Sequence, residues 1–227
     1  RVASGFIADG AVSNSGELWM DTAAIAHLRG TLANTGSGAF RNSGQLLVDG
    51  AVSNDAGADM ILYSGGATQF ASLANAGYVA ARHQLVVSGA VANAVNATLD
   101  LGAGSTPWLG SLTNAGAVTT ASALTVADAV DNADTGTIAL GAAATLGSLT
   151  NAGTIVSNDV LTVANGYAQN AGTPRVQAVY QYYNRAPFVI IGRKDRGITA
   201  DFASLRGKKV AAAAVESTRR AWPMVAR

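Results

Sequence analysis

The chain has 227 residues, of which 49% are hydrophobic and 13% charged, with 26 glycines, no cysteine and a formal net charge of +1. This composition excludes a disordered chain, because disorder requires low hydropathy together with high net charge. The lack of cysteine excludes disulfides, thiolate metal sites and a cysteine nucleophile. Since the chain has only two histidines, we expect no metal site and no other cofactor.

Charge and glycine are distributed unevenly along the chain. Residues 1–172 carry four arginines and eleven acids, a net charge of −7, and they hold 23 of the 26 glycines. Residues 173–227 carry eleven basic residues and three acids, a net charge of +8. The change in composition predicts two segments, 1–172 and 173–227. Because the positive charge is confined to the short second segment, the pattern does not indicate nucleic-acid binding.

Two short phrases repeat through the first segment. A Leu-x-Asn-x-Gly phrase begins at Leu32, Leu73, Leu112 and Leu149, and a Val-x-Asn phrase begins at Val12, Val52, Val91 and Val130. Interleaved, the phrases recur every 18 to 21 residues. Within each unit the apolar residues alternate with small polar ones, which is typical of strands with one buried face.

Near-identical units at a constant spacing favour a solenoid over a set of hairpins, because equivalent residues of successive coils then stack in register. We therefore predict an all-β right-handed parallel β-helix of about eight coils for residues 1–172, followed by a small, incomplete α/β segment. The repeated asparagines are predicted to form a structural series along the turns, in which an inward amide bonds to the neighbouring coil. This series comprises Asn14, Asn34, Asn54, Asn75, Asn93, Asn114, Asn132 and Asn151.

The phrases of residues 10–172 resemble the repeats of filamentous-haemagglutinin-type adhesins, exoproteins of two-partner secretion and related autotransporter passengers. The clearest examples are Leu-Thr-Asn-Ala-Gly followed by Leu-Thr-Val, and Ser43–Ala58. The resemblance implies secretion through an outer-membrane partner, a location at the surface of a Gram-negative bacterium, and a role in adhesion or as a stalk. A host-cell or surface receptor or glycan is implied as the partner, without its identity.

The second segment differs from the first in composition and in its predicted secondary structure. Val176–Tyr183, Phe188–Gly192 and Lys209–Val215 are predicted strands, and a helix is predicted over residues 219–227. Residues 176–227 resemble part of the periplasmic solute-binding proteins of ABC importers for nitrate, sulfonate or taurine. That resemblance implies that Ser217 and Thr218 contact an anionic ligand at a helix N-terminus. The difference between the two segments suggests a fused or misassembled reading frame, and the first residue, Arg1, suggests that the chain is a fragment.

Residues outside the two repeated phrases show no pattern that indicates catalysis. His27 and His83 are expected to be solvated or at an edge, and the acids at 128, 131 and 134 are expected to form a solvated turn. Trp19, Tyr63 and Trp108 are expected to pack against loops. The uncharged run of residues 101–127 contains Pro107 and several glycines, so we do not expect a membrane span.

From the sequence we expect a non-catalytic fragment of a secreted or surface-exposed β-helix adhesin or passenger, which acts in attachment or as a structural stalk. The alternative is a fragment of the periplasmic substrate-binding component of an ABC transporter for small anions such as nitrate, sulfonate or taurine.

Overall fold

A computed structural model of the chain describes residues 1–169 and 176–178. The strands are, in chain order, β1 (Gly5–Ala8), β2 (Val12–Asn14), β3 (Glu17–Met20), β4 (Ile25–Leu28), β5 (Leu32–Asn34), β6 (Ala39–Asn42), β7 (Gln45–Asn54), β8 (Asp59–Leu62), β9 (Ala67–Asn75), β10 (Tyr78–Ala81), β11 (Gln84–Asn93), β12 (Thr98–Leu101), β13 (Thr106–Asn114), β14 (Ala117–Thr120), β15 (Leu124–Asn132), β16 (Thr137–Leu140), β17 (Ala144–Asn151), β18 (Thr154–Ser157), β19 (Leu161–Gln169) and β20 (Val176–Ala178). Among these described residues there is no helix, and hence none with the length and apolar character to span a membrane.

The strands form two parallel sheets, which are the two faces of a right-handed parallel β-helix. One sheet, the long-strand face, runs β1-β4-β7-β9-β11-β13-β15-β17-β19, and β2 and β5 extend it beside β7. The other sheet, the short-strand face, contains β3 and then every even-numbered strand from β6 to β20. Nine strand levels on each face give about eight turns of the helix. The predicted fold of the first segment is therefore confirmed.

Equivalent residues of successive coils stack directly above one another. On the long-strand face, Leu73, Val91 and Leu112 follow one another in register, and all three are buried. On the short-strand face, Met60, Val79 and Leu99 do the same. The core is therefore a set of apolar columns parallel to the helix axis, and each coil buries its apolar edge against its two neighbours.

Turns of unequal length absorb the uneven spacing of the repeat. The turn after Asn75 is short, because β10 begins at Tyr78, whereas the turn after Asn93 is longer, because β12 begins at Thr98. The longer turn contains Asn96, which has a φ of 64°, a left-handed conformation that asparagine tolerates better than most residues. The rest of the variation lies in the long strands, which have 8 to 10 residues and carry local register shifts, for example between Val87 and Ala90 of β11.

Of the second segment, only the strand Val176–Ala178 is described, and it pairs in parallel with β18 on the short-strand face. The remaining predicted elements, which include Phe188–Gly192, Lys209–Val215 and the helix over residues 219–227, lie outside the described residues. The predicted boundary near residue 173 stays a prediction.

Candidate functional site

The repeated asparagines form one continuous column inside the β-helix, which we call the asparagine ladder. Each asparagine is the last residue of a strand on the long-strand face, and none is more than 8% exposed. The members are Asn14, Asn34, Asn54, Asn75, Asn93, Asn114, Asn132 and Asn151. The two sequence phrases thus occupy the same structural position on successive coils.

Hydrogen bonds run through the asparagine ladder in one direction. Each side-chain Nδ2 donates to the Oδ1 of the asparagine on the next coil, with distances of 2.8 or 2.9 Å. At the last step Asn151 donates to Oε1 of Gln169 at 3.3 Å. The same amides also donate to backbone carbonyls of the adjoining turns, as Asn34 does to Gly38 at 2.9 Å. These bonds satisfy polar groups that would otherwise be buried without partners.

In several coils a glycine follows the ladder asparagine by two residues, and two structural reasons favour it. Gly36 has a positive φ of 62°, a left-handed conformation that glycine adopts without strain. Gly77, Gly116 and Gly153 have no positive φ; instead, a Cβ on any of them would lie 2.2 to 2.3 Å from a carbonyl oxygen of the preceding coil. Close approach of backbones, rather than turn conformation, selects glycine at these three positions.

A second buried polar cluster lies between the long-strand and short-strand faces. Asn42 donates from Nδ2 to Oγ1 of Thr68 at 3.0 Å, and Thr68 Oγ1 lies 2.8 Å from Nε2 of His83. Because a carbonyl oxygen only accepts, His83 Nδ1 is the donor to the Tyr63 carbonyl, and Nε2 then accepts from the Thr68 hydroxyl. The neutral imidazole therefore has both nitrogens paired.

Burial lowers the pKa of His83, and the Tyr63 carbonyl opposes this effect without cancelling it. His83 is only 4% exposed, so the expectation of a solvated or edge histidine is wrong for this residue. His27 agrees better with the expectation, because its ring is half-exposed on the long-strand face. Its Nε2 lies 2.7 Å from Oδ2 of Asp49. The apolar–polar alternation of the sequence could not distinguish the buried histidine from the exposed one. His83 lies just after the short strand β10, where the two-residue period of a strand no longer applies.

Five residues on the outside of the first three coils form what we call the aromatic patch: Glu17, Trp19, Arg41, Asp59 and Tyr63. Trp19, Arg41 and the residue at position 61 occupy one outward column, and Tyr63 lies two residues further along the third coil. The rings of Trp19 and Tyr63 are nearly parallel, with an interplanar angle of 17° and centroids 6.1 Å apart. Because two coil spacings are about 10 Å, the rings lean towards each other across the coil that carries Arg41.

Polar groups surround the two rings of the aromatic patch. Glu17 and Asp59 belong to the adjacent outward column, and Oε1 of Glu17 accepts a hydrogen bond of 2.6 Å from Nε1 of Trp19. Arg41 has a side chain only 17% exposed, with Nη2 3.9 Å from Oδ2 of Asp59. Its Nη1 is buried and makes no hydrogen bond with the residues that the structure describes. Trp19 itself is 38% exposed, and the residue on which its ring stacks, Tyr63, lies in the turn that follows β8.

A third polar cluster bridges three coils of the short-strand face. Arg82 forms an ion pair with Asp100, whose carboxylate also accepts hydrogen bonds from Tyr78 and Thr119, each at 3.2 Å. The hydrogen bond to Asp100 raises the pKa of Arg82, whereas burial, followed by the charge of Asp100, raises the pKa of Tyr78. The cluster keeps Arg82 charged and Tyr78 protonated.

The other residues singled out from the sequence are dispersed. Asp128 and Asp131 are exposed, but they lie on β15 rather than in the expected turn, which holds only Asp134. Trp108 is 38% exposed on the long-strand face. Within residues 1–169 and 176–178, no three histidine, aspartate or glutamate side chains are grouped as metal ligands. Ser217 and Thr218 lie outside the described residues.

By fold, then, residues 1–169 and 176–178 form a parallel β-solenoid with an internal asparagine ladder. Comparison of the chain with the models of known protein families, with curated proteins and with solved structures finds no match.

Proposed function

We propose that the chain belongs to a secreted or surface-exposed β-helix adhesin or passenger of a Gram-negative bacterium. Its role is attachment or the support of a stalk, without catalysis, and an outer-membrane partner exports it. The observation that carries the proposal is the asparagine ladder, an unbroken series of side-chain hydrogen bonds from Asn14 to Gln169. Coils that are joined at every level by the same internal side-chain hydrogen bond suit an elongated domain that bears mechanical load.

The surface of the described coils supports a non-catalytic role. Each of its four arginines lies 3.9 Å or less from a carboxylate, as Arg82 does with Asp100 and Arg29 with Asp9. The arginines are thus engaged in contacts between neighbouring coils. General acid–base catalysis would instead require a carboxylate or imidazole with a shifted pKa beside a substrate site.

Surface location is tested with antibodies raised against residues 1–172. The antibodies should label intact bacteria that produce the protein. Labelling only after the outer membrane is permeabilised would favour the periplasmic alternative and contradict the proposal.

Attachment is tested with beads coated with the full chain and applied to cultured epithelial cells and to polysaccharide-coated plates. The coated beads should remain after washing in larger numbers than albumin-coated beads on at least one of these surfaces. Equal retention on all of them would contradict attachment and leave the stalk role.

The competing function, binding of small anions by residues 176–227, follows from sequence resemblance alone. Calorimetric titration of the full chain with nitrate and with taurine should show no saturable heat. Saturable binding that Ser217→Ala and Thr218→Ala weaken would establish the competing function instead.

A further inference from the structure

We propose that the aromatic patch of Glu17, Trp19, Arg41, Asp59 and Tyr63 binds an uncharged oligosaccharide. As the contact point of an attachment protein, this site rests on the function proposed above, whereas the binding itself is measurable on the purified chain.

The two rings provide the apolar part of such a site. Trp19 and Tyr63 come from coils one and three and stack nearly parallel, so they form a pair of aromatic rings on the outside of the first three coils. The indole N–H of Trp19 is held by Glu17 at 2.6 Å, which fixes the ring while 38% of the residue stays exposed. An aromatic surface of this kind packs against the C–H groups of a flat, polar molecule while its edges stay available for hydrogen bonds.

The gap between Arg41 and Asp59 indicates what kind of polar group the ligand carries. At 3.9 Å, Nη2 of Arg41 is too far from the Asp59 carboxylate for a hydrogen bond. A hydroxyl group beside this pair, about 2.8 Å from both atoms, would accept from the guanidinium and donate to the carboxylate, because one hydroxyl can do both. The exposed carboxylate of Asp59 and that of Glu17 can each accept from further hydroxyls.

Charge decides between neutral and charged ligands. The aromatic patch holds two carboxylates and one guanidinium, and residues 1–172 carry a net charge of −7. This field repels anionic glycans such as heparin. The guanidinium of Arg41, 3.9 Å from the Asp59 carboxylate, opposes a cationic ligand there, so an uncharged, hydroxyl-rich molecule suits the patch best.

The test is titration of the full chain with four uncharged hexasaccharides: cellohexaose, laminarihexaose, mannohexaose and acetylated chitohexaose. Calorimetry and tryptophan fluorescence should show saturable binding of at least one of them. The dissociation constant should stay within about twofold when NaCl is raised from about 0.05 to about 0.5 M, because no ion pair is formed. Heparin and spermine serve as anionic and cationic competitors.

Variants locate the site. Trp19→Ala and Tyr63→Ala should each weaken binding at least tenfold, and Asp59→Asn should weaken it less. Trp108→Ala is the matched control, because Trp108 has the same 38% exposure on the other face; it should leave affinity unchanged. Circular dichroism of each variant verifies that the β-helix is retained, and Tyr63→Phe preserves the aromatic ring where Tyr63→Ala unfolds.

The proposal is overturned if none of the four hexasaccharides binds, if heparin or spermine binds in their place, or if Trp19→Ala binds as tightly as the parent chain. If an oligosaccharide binds at the aromatic patch but coated beads attach to no surface, the attachment role fails and the binding site stands.

Discussion

A single asparagine within the ladder serves two coils at once. Asn114 accepts from Asn93 at 2.9 Å and donates to Asn132 at 2.8 Å, and its Nδ2 also donates to the carbonyl of Gly116. Asn114→Ala would remove the donor to the buried Oδ1 of Asn132 and would leave Nδ2 of Asn93 with only the backbone carbonyls of residues 97 and 117 as acceptors. We expect a loss of about 3 kcal/mol in the free energy of unfolding, measured by urea denaturation.

The control for this substitution is Asn165→Ala, since Asn165 is exposed on β19. It should change the free energy of unfolding by less than about 0.5 kcal/mol. Equal effects at the two positions would show that the ladder does not stabilise the fold.

Glycine 116 illustrates how tightly neighbouring coils approach. A Cβ at this position would lie 2.3 Å from the carbonyl oxygen of Ala94 and 2.4 Å from that of Ala97. Gly16 holds the equivalent place in the first coil, where nothing lies within 4 Å of such a Cβ. Gly116→Ala should therefore reduce the free energy of unfolding by about 2 kcal/mol or more, whereas Gly16→Ala should be close to neutral.

These two glycine variants are compared by urea denaturation under identical conditions. A neutral Gly116→Ala would mean that the coils can separate at this turn, contrary to the close contact described above.

His83 makes the stability of the fold depend on pH. Its folded pKa lies below the unfolded value of about 6.5, so between the two values the unfolded chain binds more protons than the folded one. The free energy of unfolding should thus be fully retained above about pH 6.5 and should fall as the pH drops towards the folded pKa. Protonation would also make Nε2 a donor and leave the Thr68 hydroxyl hydrogen without its acceptor.

Proton NMR measures this effect directly, because the chain has only two histidines. The ring resonance of His83 should titrate below about pH 6.5, and His27→Gln assigns it by removing the other signal. A titration of His83 at or above about 6.5 would contradict the burial described here.

At the scale of the element, the coil is the unit that can be added or removed. Because Asn93 and Asn114 occupy equivalent places, deletion of residues 94–114 joins two equivalent ends of the ladder. The shortened chain should fold with the same β-type circular dichroism and a reduced stability, since a solenoid loses only one interface.

Deletion of residues 94–104 is the matched comparison. It removes β12 together with nearly all of the two turns that flank it. Strand β11 would then be followed directly by β13, which belongs to the same face, at the place of a strand of the short-strand face. We expect this chain to lack a cooperative unfolding transition. Cooperative folding of both deletions, or of neither, would contradict the coil as the repeating unit.

The repeat could be predicted from the sequence, because its two phrases recur at a nearly constant interval along the chain. The 18-to-21-residue interval gives the coil, and alternation around residues 112–118 gives the inward residues. The aromatic patch could not be predicted from the sequence, because Trp19 and Tyr63 lie two coils apart and only the strand register brings their rings together. The burial of His83 depends likewise on partners in other coils, at positions 42 and 68.

At the scale of the whole β-helix, length should grow by a fixed step per coil. Ala33, Thr113, Asp131 and Thr150 lie in one outward column of the long-strand face, and Thr113 is four coils above Ala33. The fold therefore predicts distances from Ala33 of about 19, 24 and 29 Å to the other three, since adjacent strands are about 4.8 Å apart.

The measurement that tests the β-helix most directly is pulsed electron paramagnetic resonance on pairs of spin labels. The parent chain has no cysteine, so Ala33→Cys combined in turn with Thr113→Cys, Asp131→Cys and Thr150→Cys gives three clean pairs. The mean distance should increase by about 5 Å from each pair to the next. Distances that stay constant or alternate, as facing sheets closed by hairpins would give, would contradict the stacked parallel coil.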